Sequence, residues 1–283
     1  MASTGKKIAT GCGIGCLLLV IILGGIGTCS YLGIKQVVEE AGDLDVAFDE
    51  LQEVHGEPEA YTPPADGRLD PARVETFLAI RRELTTKGAA IDHALRTLDG
   101  AEGGDRGPIA KIKAGIELVP GTVGYIAAIG VTLRDHGMGQ GEYTHLYGLG
   151  YYVMLDLDPG AGPEFRLQDQ RDDDDDGSVR VSTTVGNDSP REERRARIGE
   201  MLNDLGRSLL ANQKDAAMAA GLDENWIGQL DREIDDLRTD WERMPWQDGL
   251  PRNTAESLSP FRAEFEETWA PYLNALETAA LHK

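Results

Sequence analysis

The sequence predicts an all-α protein: one N-terminal transmembrane helix, then a helical bundle of about six or seven helices interrupted by a long acidic irregular insert. Three observations lead there. Residues 8–34, IATGCGIGCLLLVIILGGIGTCSYLGI, carry no charged side chain, and the run exceeds the ~20 residues that cross a bilayer. Beyond residue 70, apolar residues recur at spacings of three and four, the period of an amphipathic helix. Strict alternation is confined to SVRVSTTV, inside a stretch too rich in Asp, Gly, Ser and Thr to supply a core.

Residues 1–7 form a short cytoplasmic N-terminus and residues 8–34 the anchor. Lys6, Lys7 and the terminal amine precede the anchor, whereas Lys35 alone follows it before Glu39, Glu40, Asp43 and Asp45. The positive-inside bias therefore predicts a single-pass membrane protein with its bulk extracytoplasmic, in the cell envelope. A cleaved signal ending at GGIGTCS, or a lipidated Cys29, is the rival reading and leaves the chain on the same side. Gly11 and Gly15 stand four apart, as do Ala9 with Gly13 and Cys12 with Cys16. That small-residue face lets two helices approach closely, although glycine is common in membrane helices generally.

Residues 35–56 read as a juxtamembrane helix. Ile34, Val37, Ala41, Leu44, Phe48 and Leu51 make a seam of fewer than three heptads, weakened by Gly42. Leu44, Phe48 and Leu51, with Gly11 and Gly15, are the candidate self-association residues; a seam this short fits packing against its own domain better than a sustained coiled coil. Pro58, Pro63, Pro64 and Gly67 make residues 57–69 a linker.

A first helical segment spans 70–156. Asp70 before Pro71 is a helix start, with a capping carboxylate ahead of a proline tolerated in the first turn. Val74, Phe77, Leu84, Ile91, Leu95 and Leu98 keep a helical period to Asp99-Gly100, and Gly88 marks a kink or split. Residues 116–133 are the most apolar run after the anchor; Glu117 and Pro120 favour a buried helix over a second crossing. Residues 141–155 continue in the same buried style.

The acidic insert covers 157–188. The C-terminal segment, 189–283, packs with the first and opens on Ser189-Pro190-Arg191-Glu192, a capping box. Ile198, Met201, Leu202, Leu205 and Leu209 share one helix face; Ile227, Leu230, Ile234, Leu237, Trp241 and Met244 share the next. Residues 244–260 read as a loop. Phe261, Phe265, Trp269, Tyr272, Leu273 and Leu276 line a last helix kinked at Pro271.

The net charge of -21 excludes phosphate-backbone recognition, so no nucleic-acid partner is expected. All cysteines (Cys12, Cys16, Cys29) lie in the anchor, which excludes a disulfide framework and a thiolate zinc site beyond it. Asp172, Asp174, Asp176 and Gly177 match the front half of a calcium loop, with Ser178 offering a carbonyl and Val179 at the apolar position. Thr183 stands where the bidentate glutamate belongs, and five consecutive aspartates satisfy any alternate spacing, so a solvated loop is the simpler reading. No cofactor is expected unless that loop takes calcium at low affinity. Glu142 and His145 form a Glu-x-x-His pair without the second copy a di-iron bundle needs, and His136 is near enough to join them. His55, His93 and His282 stand alone, and no nucleophile elbow, phosphate loop or zinc-protease helix is present. The expectation is a membrane-anchored, non-catalytic domain in a structural, scaffolding or sensing role, binding a protein partner or itself. The alternatives are an envelope hydrolase whose site includes Glu142 and His145, and a calcium-responsive module.

Overall fold

The computed structural model describes residues 48–99, 108–162, 164–168, 180–184 and 188–280. The anchor, Gly11, Gly15, Leu44, and the aspartates Asp172, Asp174 and Asp176 lie outside the described residues. Within them the protein is helical apart from one short ribbon: α1 (48–55), α2 (Pro71–Lys87), α3 (Ala89–Asp99), α4 (Pro108–Asp135), α5 (Gln140–Tyr147), β1 (Glu164–Gln168), β2 (Arg180–Thr184), α6 (Asp188–Ala219), α7 (Glu224–Thr239), α8 (Arg252–Leu258), α9 (Arg262–Thr268) and α10 (Pro271–Ala280). Among the described residues no helix is long and apolar enough to cross a membrane.

Local chemistry explains several boundaries. Asp70 accepts from the Ala72 N–H at 2.9 Å and caps α2, with Pro71 in the first turn. Gly88 separates α2 from α3, where a Cβ would stand 2.6 Å from Leu273 of α10 and 2.9 Å from Tyr125 of α4. Side chains of α4 and α10 close over this position, which only a residue without a side chain fits. Gly137, φ +62°, closes off α4 beyond Asp135, with Met138 N–H donating to Leu133 O and Gly137 N–H to Arg134 O. This is a Schellman turn, which glycine enters without the steric cost of a Cβ.

The core centres on α2, whose Val74, Phe77, Leu78, Ile80 and Leu84 are fully buried between α4, α5 and α9. α6 packs along α7, and β1 lies against α6 and α10. Leu51 of α1 is 1% exposed and belongs to this core, with Phe48 packed against it. Their own domain therefore occupies the two described residues of the proposed self-association seam.

The structure departs from the sequence expectation, or adds to it, in five places. Residues 57–69, read from the sequence as a linker, are a strap held along their length. Asn212 donates to the carbonyls of Glu59 and Tyr61, Gln213 to Pro64, the Trp226 indole to Ala65, Asn253 to Asp66 and Thr254 to Gly67. The insert contains the antiparallel β1–β2 ribbon, Glu164 opposite Thr184, whose second strand is the alternating stretch. Residues 244–260 contain α8, and Pro271 opens α10 instead of kinking one long helix. α7 stops at Thr239, leaving Trp241 56% exposed and off the seam assigned to it.

Candidate functional site

At the centre of the bundle two fully buried charges meet. Arg81 of α2 and Glu277 of α10 are each 0% exposed, with Arg81 Nη1 2.5 Å from Glu277 Oε2. The angle makes this an ion pair without a hydrogen bond to that oxygen. Tyrosines complete the shell. Arg81 Nε and Nη1 donate to the Tyr151 and Tyr143 hydroxyls, each at 3.0 Å, and Nη2 to Thr268 O at 3.2 Å. The guanidinium carbon lies 5.1 Å from the Tyr147 ring centre, cation–π range. Tyr125 donates a short hydrogen bond to Glu277 Oε1.

Burial opposes the Arg81 charge, yet the Glu277 carboxylate and the surrounding phenols hold its pKa well above the ordinary guanidinium value. Burial likewise pushes the Tyr125, Tyr147 and Tyr152 phenols well above their usual range, so at neutral pH they remain protonated donors.

Two of these tyrosines come from an unusual stretch of backbone. α5 runs on into a π-helical segment, Gly148–Met154, which presents Tyr151 and Tyr152 to the interior. Such segments recur at functional sites. Gly150 permits it, because a Cβ there would collide with the Phe265 ring.

The network reaches outward through Asn274 of α10. Tyr147 and Tyr152 both donate to its Oδ1, at 2.8 and 2.7 Å, while its Nδ2 donates to Pro159 O at 2.9 Å. Arg194 of α6 donates to Gly160 O and Gly162 O. The 156–162 bend is thus held from within by side chains of α6 and α10.

That bend is one wall of a 440 Å³ cleft shared with α6 and the 240–247 turn. Asp158 is ion-paired to Arg191 and Arg195, and Arg243 to Asp248 at 2.8 Å and to Glu233 at 3.3 Å. Burial works to raise the Asp158 pKa, but Arg195, the Gly160 N–H and Arg191 hold it below the ordinary carboxylate value. Asp156, Asp240 and Glu242 also line the cleft and have no ion pair among the described residues. Exposed Trp241 lies between two of them in the chain. Asp156 and Trp246 adopt left-handed backbone, φ +54° and +60°, a conformation that costs a non-glycine residue about 1–3 kcal/mol and clusters at functional sites. A second opening, a 650 Å³ groove between α6 and α7, is lined by paired charges including Lys214 and Asp231 at 2.5 Å.

The sequence-derived residues are dispersed. Glu142 takes a two-pronged grip from Arg73, Nε to Oε1 at 2.7 Å and Nη2 to Oε2 at 2.5 Å. His145 instead faces the Tyr61 ring, centroids 5.9 Å apart, and lines a different, apolar cavity. His136 pairs with Glu83 at 3.0 Å and does not join them. Among the described residues no three or more His, Cys, Asp or Glu side chains converge as a metal site would require.

Arg81 and Glu277 were missed, though a signal existed. Arg81 lies four residues after Phe77 and three before Leu84, and Glu277 four after Leu273, so each charge sits on an apolar stripe. Comparison with protein-family models, with curated proteins and with solved structures finds no match to this chain.

Proposed function

We propose that this is a single-pass, membrane-anchored protein whose helical domain stands outside the cytoplasm and works without catalysis, through protein contacts at the 440 Å³ cleft. The observation that carries the reading is the division of charge around that cleft. Its cations are neutralised within the chain by Asp158, Glu233 and Asp248, while Asp156, Asp240 and Glu242 are left for a partner and Trp241 is exposed beside them. Tryptophan is enriched at interface hot spots, and unpaired carboxylates around it select a partner with a cationic face. Rigid support from Asn274 and Arg194 lowers the ordering cost of binding. The membrane placement rests on the uncharged 8–34 run and its lysine asymmetry.

The test is site-specific photocrosslinking from position 241 in intact cells carrying the full chain. A discrete protein adduct, lost when Asp156, Asp240 and Glu242 are changed to their amides, supports the reading. Diffuse labelling indistinguishable from that obtained at Met218, another exposed apolar position, overturns it.

A further inference from the structure

The 650 Å³ groove between α6 and α7 shares no lining residue with the cleft. In a chain of net charge -21 its lining is close to neutral, three cations against four carboxylates. The self-repulsion that so acidic a chain imposes on its copies is therefore weak at this face. Along the α6 wall, Arg207, Ala211 and Asp215 follow at intervals of four and form a single ridge of the helix. Ala211 and Asp215 are exposed, and the Arg207 side chain is 42% exposed. The alanine at the middle of the ridge lets a second helix axis come within about 8 Å, and the two ends carry opposite charges.

Both end groups have bonding capacity left. Arg207 makes one side-chain hydrogen bond among the described residues, to Asp204 in its own helical turn, and its Nε is buried without an acceptor. A guanidinium has about five N–H donors to place. Asp215 makes no ion pair or side-chain hydrogen bond among the described residues. The other cations of the groove are matched already, Lys214 to Asp231 at 2.5 Å and Arg238 to Asp235 at 3.1 Å.

We propose that this face binds a second copy of the chain, α6 crossing α6 in antiparallel sense about a twofold axis at Ala211. Each residue before Ala211 then meets the residue equally far after it in the other copy. Arg207 meets Asp215 on both sides of the axis, and Ser208 meets Lys214. A parallel crossing at the same point would set Arg207 on Arg207 and Asp215 on Asp215, so the order of charges selects the antiparallel one. Ridges of the i±4 class cross at about 50°, which confines the contact to roughly one turn on either side of Ala211. One helix crossing buries less than the ~1,200 Å² of a standard stable interface, so the pair forms transiently and exchanges. It is independent of what the cleft binds.

The experiment is disulfide trapping of the purified full chain in mild detergent, with Cys12, Cys16 and Cys29 changed to Ser. Under a mild oxidant Ala211→Cys should give a disulfide-linked dimer, because the axis sets its two copies face to face. Met218→Cys should not, although Met218 is 56% exposed. Its two copies lie about 20 Å apart along the antiparallel helices, and a disulfide needs Cα atoms within about 7 Å. With Ala211→Cys present, either Arg207→Glu or Asp215→Arg turns both ion pairs into like-charge contacts and should cut the trapped dimer about tenfold. Arg207→Glu and Asp215→Arg together reverse the pairs and should restore it. Equal trapping from Met218→Cys, as dimerisation through the anchor would give, overturns the proposal, and so does the absence of dimer from Ala211→Cys. Single charge variants that trap undiminished, or a double variant no better than the singles, overturn it as well.

Discussion

Replacing Glu277 with Gln keeps the shape of the side chain and removes its charge, stranding Arg81 in a site with 0% exposure. Breaking a buried pair from one side costs about 3–5 kcal/mol, because the remaining charge is desolvated without compensation. Arg81→Met strands Glu277 instead and should cost a similar amount, since Tyr125 alone then faces the carboxylate. The double variant Arg81→Met/Glu277→Leu removes both charges, and swapping a buried pair for apolar residues is often neutral or stabilising. Here it also leaves the Tyr125 and Tyr143 hydroxyls without the partners they have now, each costing about 1–3 kcal/mol. The two losses sum to about 2–6 kcal/mol and removal of the desolvated pair offsets about 1–4 of that, so the double variant should lose roughly 1–3 kcal/mol, no more than either single change and far less than their sum. Urea unfolding followed by tryptophan fluorescence on the full chain in mild detergent measures all three. Single losses below about 1 kcal/mol, or a double loss equal to the sum of the singles, would refute the claim that the pair acts as one desolvated unit.

Gly150→Ala drives a methyl into the Phe265 ring and should cost about 1–3 kcal/mol in the same assay, with the near-ultraviolet dichroism of the tyrosine cluster altered. Asp70→Ala removes the acceptor for Ala72 N–H and should cost about 1 kcal/mol, whereas Asp70→Ser should restore most of it. If residues 8–34 anchor the chain, alkaline extraction of membranes should leave the full chain in the pellet, and deleting residues 1–35 should release it; full-length protein in the supernatant would remove the anchor from the reading.

Much of the helical layout was legible because its causes are local. The Asp70-Pro71 start and the break at Gly88 depend on residues within a few positions of one another. Trp241 shows where periodicity fails. The three-and-four spacing continues through Met244, but Asn203 Nδ2 of α6 lies within hydrogen-bond reach of the carbonyls of Leu237, Asp240 and Arg243, and the chain turns there. A cap supplied by another helix leaves no trace in the window being read. The 57–69 stretch fails similarly, since its proline content signals a break but says nothing of the side chains that hold its carbonyls.

The candidate site was less legible still. Glu142 and His145 drew notice by their spacing, yet the fold gives one to Arg73 and buries the other against Tyr61. By itself the sequence determined the helical character of the domain, the Asp70 cap and the break at Gly88. Backbone hydrogen bonds within a helix join residues four apart, and the apolar period shows which face turns inward. Only the tertiary structure decided which charges meet, because α2 and α10 are adjacent in space and remote in the chain. The energy of the Arg81–Glu277 pair depends on their 2.5 Å separation and on their complete burial, neither of which sequence separation encodes.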